Sequence, residues 1–293
     1  MKIACIGIGA VGSIIARELK SMDLDITLFS RTERNDFTIL ENNEYIDYDY
    51  FIQSIDNHDE TKFDIIFIST KATALRSLVS TISEISHDDT DIILCENGMG
   101  YDSWFKNSIP AVVYISGQKK HDYIEHFRDS RLIIENKKYR HLDELIEQLE
   151  SDETVELEII KNDKFEKLRY EKLLINLGVN TMTALSQNTA QIFKDADVVD
   201  LTKQLLKEGQ KIINQESDII TDDFIDESVK LFQSYPDHMG TSMYYDVMDQ
   251  KETEYEFIQK YFHDNKGDLS TPVLDVIYTL LKGYSYGFTR GNN

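Results

Sequence analysis

The sequence predicts an α/β chain in two parts: a parallel sheet flanked by helices over residues 1–163, then an all-helical part over 164–293. Three observations predict it. Short apolar runs alternate with amphipathic helical patterns through the first half. From about Lys164 the strand patterns stop and only helical periodicity remains. A length of 293 residues favours two domains over one. Alternation of strand and helix builds a mostly parallel sheet with helices on its faces.

Residues 1–6 read as a short, mostly apolar opening strand. Gly7-Ile8-Gly9-Ala10-Val11-Gly12 follows at once, and Val11, Ile14, Ile15 and Leu19 then take up helical spacing. The glycine pattern alone is weak, but between a strand and a helix it is specific. Gly7 allows a tight turn, Gly9 lets a pyrophosphate approach the backbone, and Gly12 lets helix and strand pack closely. The helix N-terminus adds amides and the positive end of a dipole. This is the fingerprint of a Rossmann-type dinucleotide site formed by Gly7, Ile8, Gly9, Ala10, Val11 and Gly12.

Residues 25–29 are the second strand. An enzyme that prefers NAD places an acid at its end, whereas an arginine suits a 2′-phosphate. Arg31 comes first after the strand, with Glu33 and Arg34 beyond it. The expected cofactor is therefore NADP.

Further strands are expected at residues 63–69, 91–95 and 111–115, and from the alternation of Val155, Leu157 and Ile159. Helices are expected on the inner faces formed by Leu75, Leu78, Val79, Ile82 and Ile85 and by Leu142, Leu145, Ile146 and Leu149. Residues 36–59 are polar, tyrosine-rich and without a readable period. Ligands of open parallel sheets gather beyond the carboxyl ends of the strands. Besides the glycine loop, Thr70-Lys71-Ala72 and Glu96-Asn97-Gly98-Met99-Gly100 fall there. Lys71 and Asn97 either line the cleft or serve as a surface strand end and a turn dipeptide.

In the helical part, Lys172, Asn176 and Asn180 are spaced four and four. On a helix each step turns only about 40°, so an ammonium and two carboxamides share a face. Their neighbours Leu173, Leu174, Ile175, Leu177 and Val179 are apolar, as in a buried helix. A buried unpaired amide costs roughly 1–3 kcal/mol, so the stripe needs partners, either other side chains or a polar ligand.

The formal charge is −22 and the pI about 4.6. That argues against nucleic acid or an anionic membrane as partner, since basic patches drive both. The opening apolar run is short and glycine-broken, unlike a signal peptide, and no stretch is long enough to span a bilayer. A cytoplasmic location is expected. Cys5 and Cys95 lie in expected core strands and read as buried thiols, and no Cys/His spacing suggests a metal. The helical part could support a homodimer, though it shows no heptad seam.

Taken together, the chain resembles the ketopantoate reductase family nearly end to end. The resemblance rests on the glycine loop, Arg31, Thr70-Lys71-Ala72, Asn97-Gly98-x-Gly100, and the stripe Lys172, Asn176, Asn180 with Ala184-Leu185. It continues through Ser242-Met243-x-x-Asp246, Thr253-Glu254 and Thr271-Pro272. It implies NADPH-dependent reduction of a 2-keto acid to a 2-hydroxy acid, with 2-dehydropantoate the first substrate to consider. Lys172 matches the lysine that bonds and protonates the keto oxygen, a task suited to an ammonium. Asn176, Asn180 and Ser242 match substrate positions. Glu254 matches an acid at the cofactor end of the cleft, and Asn97 an asparagine near the nicotinamide ribose. Lys71 stands among the cofactor-side residues. The chain departs from the family pattern at Glu96, in Ser116-Gly117-Gln118-Lys119-Lys120, at Ala190, where an asparagine is usual, and at Gln250-Lys251-Glu252. The competing readings are an NADP-binding sensor or interaction protein without turnover, and a related reductase for another keto acid.

Overall fold

A computed structural model of the chain describes residues 1–289. The protein packs as two units, one of residues 1–96 and 101–165, the other of 97–100 and the chain from 166 onward. The sequence puts the break at 163/164; the short turn 97–100 goes with the second unit.

In chain order the first unit runs β1 (Lys2–Ile6), α1 (Ala10–Lys20), β2 (Asp25–Ser30), β3 (Phe37–Glu41), β4 (Glu44–Tyr48), β5 (Ile52–Ser54), β6 (Phe63–Ile68), α2 (Leu75–Ile85), β7 (Ser86–Leu94), β8 (Ser108–Pro110), β9 (Val112–Lys119), β10 (Ile124–Glu135), α3 (Leu142–Ser151) and β11 (Glu158–Asn162). Six strands form an all-parallel sheet in the order β5-β2-β1-β6-β7-β8. Its central strands read as unbroken apolar runs because both faces are covered. Ile3, Ala4, Cys5 and Ile6 of β1 and Ile65, Ile66, Phe67 and Ile68 of β6 are all buried. The expected inner faces of α1 and α2 are buried through Ile14, Ile15 and Leu19, and through Leu75, Leu78, Ile82 and Ile85, whereas Val11 and Val79, expected on the same faces, are only partly buried. The strand order reverses between β1 and β6, which in such sheets opens a crevice at the strand ends.

A second sheet was not legible in the sequence. Its order is β11-β10-β3-β4, and β9 pairs with β10. The unreadable segment supplies β3 and β4, an antiparallel hairpin turned at Asn42 and Asn43, both with positive φ (50° and 65°). Asparagine tolerates that conformation. Residues 111–115, expected in the parallel sheet, mostly belong to β9, which runs antiparallel to β10. Only the short β8 before them joins the parallel sheet. The strand expected from Val155 begins later, as β11, and pairs parallel to β10.

Buried charge ties the two sheets through α1. The Arg17 guanidinium pairs with Glu18 and with Glu41 of β3, and Glu41 also meets His126 Nδ1 of β10 at 2.6 Å. Arg17 and Glu18 are almost fully buried, which is tolerable only because they are paired. Partial burial pushes the Glu41 carboxyl up, but hydrogen bonds from His126 and Arg17 outweigh it and hold it below its ordinary value.

Among its described residues the second unit carries no strand, and its α-helices are α4 (Phe165–Ser186), α5 (Ala196–Ile213), α6 (Asp222–Ser234), α7 (Ser242–Met248), α8 (Gln259–Asp264) and α9 (Pro272–Thr289). Asp195, Thr221 and Thr241 cap α5, α6 and α7 with side-chain oxygens that accept backbone N–H bonds. At Gly209 of α5, a Cβ would lie 2.6 Å from Leu174 Cδ1 and 2.8 Å from Leu177 Cδ2 of α4. The bare backbone lets α5 sit against the apolar face of α4. No helix among the described residues is long and apolar enough to cross a membrane. Cys5 and Cys95 are buried and joined in no disulfide, and burial pushes the Cys5 thiol up to about 12.

Arg17→Leu should destabilise the protein by roughly 3–5 kcal/mol, because it strands buried Glu18 without its cation and leaves Glu41 with His126 alone; urea denaturation measures this. The Glu41 contribution is present above the ordinary carboxylate range and is lost as pH falls through its lowered value. The variant should therefore lose less stability than the parent on acidification. An unchanged midpoint and acid profile would contradict the account.

Candidate functional site

In the first unit, the residues after β1 form a tight loop in which each glycine has a separate cause. Gly7 has φ +93°, and a Cβ there would meet Thr70 N at 2.7 Å. Gly12 faces the loop itself: a Cβ would lie 2.1 Å from the Gly7 carbonyl oxygen and 2.3 Å from Ser69 Oγ. Ser69, just past β6, donates from Oγ to the Gly7 and Ile6 carbonyls at 2.9 and 3.2 Å, and from its amide to Ile6 at 2.9 Å. Gly9 is the N-cap of α1, and nothing lies within 4 Å of where its Cβ would be. The first turn of α1 carries no acidic residue, and its leading amides have no partner within the helix. Open space above Gly9, uncapped amides and the dipole end suit a phosphate group. The loop thus fits a dinucleotide.

Arg31 is exposed immediately after β2. Arg34 is half-buried and reaches back to donate from a guanidinium nitrogen to the Ile8 carbonyl, while its backbone bridges to Ile52. Partial burial pulls its pKa below the usual arginine value against the attraction of Asp36. Both cations thus stand on the segment that follows β2, and Arg34 contacts the glycine loop directly. The sequence placed Arg34 only nearby. Lys71 is exposed three residues past β6.

In the second unit, α4 carries Lys172, Asn176 and Asn180. Lys172 and Asn176 are partly exposed and Asn180 is buried, whereas Leu173, Leu174, Leu177 and Val179 lie in the apolar core. The stripe is therefore one polar face on an otherwise buried helix. Thr183 Oγ1 and Thr241 Oγ1 share a hydrogen bond of 2.7 Å, tying α4 to the start of α7. Ser242, the first residue of α7, is exposed beside that link. Gln259 is fully buried and donates to Thr181 Oγ1 at 2.8 Å, while its Oε1 has no hydrogen-bond partner.

The turn carrying Asn97 belongs to the same unit. Gly98 has φ +96°, and a Cβ there would collide with Phe257, 2.5 Å from its carbonyl oxygen. Met99 N donates to that carbonyl at 2.9 Å. The turn is thereby fixed to the stretch that begins at buried Glu254 and Thr253. Thr253 Oγ1 is buried and has no hydrogen-bond partner. Asn97 and Glu254 are thus anchored to one local framework. Gln259 and Thr241 were missed in the sequence. The signal for Gln259 was a lone amide inside the apolar run from Phe257 to Phe262. Ala190 is buried in the apolar core of this unit and offers no polar side chain.

The model of the ketopantoate reductase PanE/ApbA family matches residues 3–135, and the model of that family's C-terminal part matches residues 164–285. A solved structure described as dimeric ketopantoate reductase from Staphylococcus aureus, with evidence of kinetic cooperativity, is 33% identical. The match covers 98% of this chain and 99% of that one, with a TM-score of 0.89. A curated 2-dehydropantoate 2-reductase from Mycobacterium tuberculosis is 30% identical over 128 residues, 42% of each protein, so the chain spans less than half the length of that relative. A structure of D-mandelate dehydrogenase with NADH and anilino(oxo)acetate, 18% identical, covers 99% of this chain and 100% of that one with a TM-score of 0.84 and shares the fold.

Gly9 and Gly12 of the loop should separate in their effects on folding. Gly12→Ala has no room and should cost at least about 1–3 kcal/mol, the usual penalty of overpacking. Gly9→Ala meets open space and should melt with the parent protein. Differential scanning calorimetry of both variants checks this, and equal melting temperatures would refute the assignment.

Proposed function

Because this chain belongs to the ketopantoate reductase family, we propose that it is an NADPH-dependent oxidoreductase that reduces a small 2-keto acid to the 2-hydroxy acid, with 2-dehydropantoate as first substrate. The observation that carries this reading is the stripe of Lys172, Asn176 and Asn180 on a helix whose other residues are largely buried in apolar core. A homodimer is proposed as well, by extension from the Staphylococcus aureus relative.

The first unit would hold the dinucleotide. Ile8, Gly9, Ala10 and Val11 offer backbone to the pyrophosphate, and Gly7 and Gly12 shape the loop that presents them. Arg31, with Arg34 behind it, would pair with the 2′-phosphate by charge-assisted bonds. Lys71 would add positive charge near the strand ends. When bound, the nicotinamide supplies a hydride to the carbonyl carbon.

The second unit would hold the keto acid. Lys172 donates a hydrogen bond to the keto oxygen and gives it a proton as the hydride arrives, so the alkoxide is never left unneutralised. The neutral amine then regains a proton from water. Asn176, Asn180 and Ser242 hold the carboxylate and the hydroxyl tail in the reactive orientation. Glu254, with Asn97 on the adjoining turn, positions the nicotinamide ribose and the substrate hydroxyl. Neutral donors beside a single cation suit one carboxylate and a hydroxyl better than a dianion.

Lys172→Ala should cut turnover by at least about a hundredfold, the scale of general acid catalysis, while NADPH binding measured by fluorescence persists. Near-normal turnover would return Lys172 to a structural role. Arg31→Ala should weaken NADPH far more than NADH; equal affinity of the parent for both cofactors would rule out the phosphate assignment. Under saturating NADPH, 2-dehydropantoate should be used more efficiently than 2-ketoisovalerate, which lacks the hydroxyl. Preference for oxaloacetate would contradict the charge argument. Tight NADPH binding without turnover of any keto acid would leave an NADP-binding protein without catalysis.

A further inference from the structure

At the amino end of the parallel sheet's strands, three side chains distant in sequence converge. Asp64 is the second residue of β6 and His87 the second residue of β7. The pairing of Phe63 with Ser86 sets them side by side. His141 immediately precedes α3. The glycine loop, Ser69 and Lys71 all follow carboxyl ends of strands, whereas this cluster lies at the amino ends.

The geometry is close. Asp64 Oδ1 lies 3.2 Å from His87 Nε2 and 3.9 Å from His141 Nε2. One ligating atom from each residue lies within 4.8 Å of the others. The imidazoles meet edge to face, with ring centroids 5.7 Å apart. Asp64 Oδ2 accepts the Lys2 amide at 2.7 Å, which fixes the carboxylate and leaves Oδ1 turned to the histidines. His141 is held by its own amide, which donates to Asp91 Oδ2 at 2.7 Å, beside the Leu142 amide at 2.8 Å. Burial pushes the Asp64 carboxyl up, but the Lys2 amide, both histidines and the N-terminal amine outweigh it and hold it below its ordinary value.

A hydrogen-bonded trio does not account for the arrangement. Asp64 Oδ1 is in hydrogen-bonding range of His87 alone, and His141 Nε2 is buried without a hydrogen-bond partner. An unsatisfied buried polar atom costs roughly 1–3 kcal/mol. A cation among the three atoms satisfies all of them at once. We propose that Asp64, His87 and His141 form a binding site for one zinc-type divalent ion, which clamps β6, β7 and the start of α3 together. Two imidazoles and one carboxylate suit a borderline ion; calcium and magnesium take oxygen ligands. Metal–ligand bonds of about 2.0–2.2 Å in a tetrahedron put ligand atoms roughly 3.4 Å apart. Two of the gaps, 3.2 and 3.9 Å, are near that spacing, and the third is no more than 4.8 Å. The side chains are a quarter to a third exposed, so an ion can enter and water can take the fourth position. Coordination through His87 Nε2 leaves the ring proton on Nδ1. The 3.2 Å contact from the Asp89 amide to that atom must then open.

The test is titration of the full-length, chelator-stripped protein with zinc ion by isothermal calorimetry, with a thermal melt alongside. One zinc per chain and a raised melting temperature are expected, since the ion binds only the folded site. X-ray absorption should report two imidazoles in the first coordination sphere. His141→Gln and His87→Gln should each weaken binding at least about tenfold; loss of an outer-shell partner alone costs roughly 10–100-fold. Circular dichroism confirms that these variants fold. His121→Gln, at an exposed histidine, should bind as the parent does. No zinc binding up to millimolar concentration, or binding that survives both ligand substitutions, overturns the proposal.

Discussion

The absence of a side chain at Gly12 is the constraint on which the first unit turns. It allows α1 to come within touching distance of the turn after β1, where any Cβ would run into the Gly7 carbonyl and Ser69 Oγ. That approach lets Ser69, at the end of β6, donate to both Ile6 and Gly7. Strand, helix and neighbouring strand therefore meet at one knot of backbone. Arg34 adds a hydrogen bond to the Ile8 carbonyl. The loop is held by bonds internal to the protein, so little ordering remains for a ligand to impose.

The second unit is tied together by different means. Buried hydroxyls and an amide link α4 to its neighbours: Thr183 meets Thr241 at the cap of α7, and Thr181 meets Gln259 at the start of α8. Each link bonds a buried polar group that would otherwise be costly, and each fixes one helix end relative to α4.

Local chemistry was legible in the sequence; long-range pairing was not. The glycine pattern is read from its place between a strand and a helix, and in the fold Gly7 and Gly12 meet close contacts while Gly9 faces open space. The polar face of α4 follows from a period of four. The second sheet left no such trace. Its β4 strand is exposed along nearly its whole length, so no apolar alternation marks it. Residues 111–115 carry the apolar pattern of a core strand, and nothing local says which sheet they join. The same limit hides the Asp64, His87 and His141 cluster, whose members come from three separate segments with no motif spacing. Gln259 stood out only as a lone amide in an apolar run, because its partner Thr181 lies far away in the chain.

The turn at residues 97–100 leaves the first unit's strand order and is counted, by its packing on Phe257, with the second unit. The chain therefore passes between the units at 96/97, 100/101 and 165/166 rather than along one linker. Neither unit is a contiguous piece of gene. A fragment cut near residue 165 would carry a turn whose packing surface had been discarded, and the complementary fragment would lack the backbone that Phe257 accepts from. Such an architecture cannot be exchanged as a simple cassette. It also makes completion of the helical unit wait on a contact spanning well over half of the sequence, which places that step among the slow, non-local events of folding.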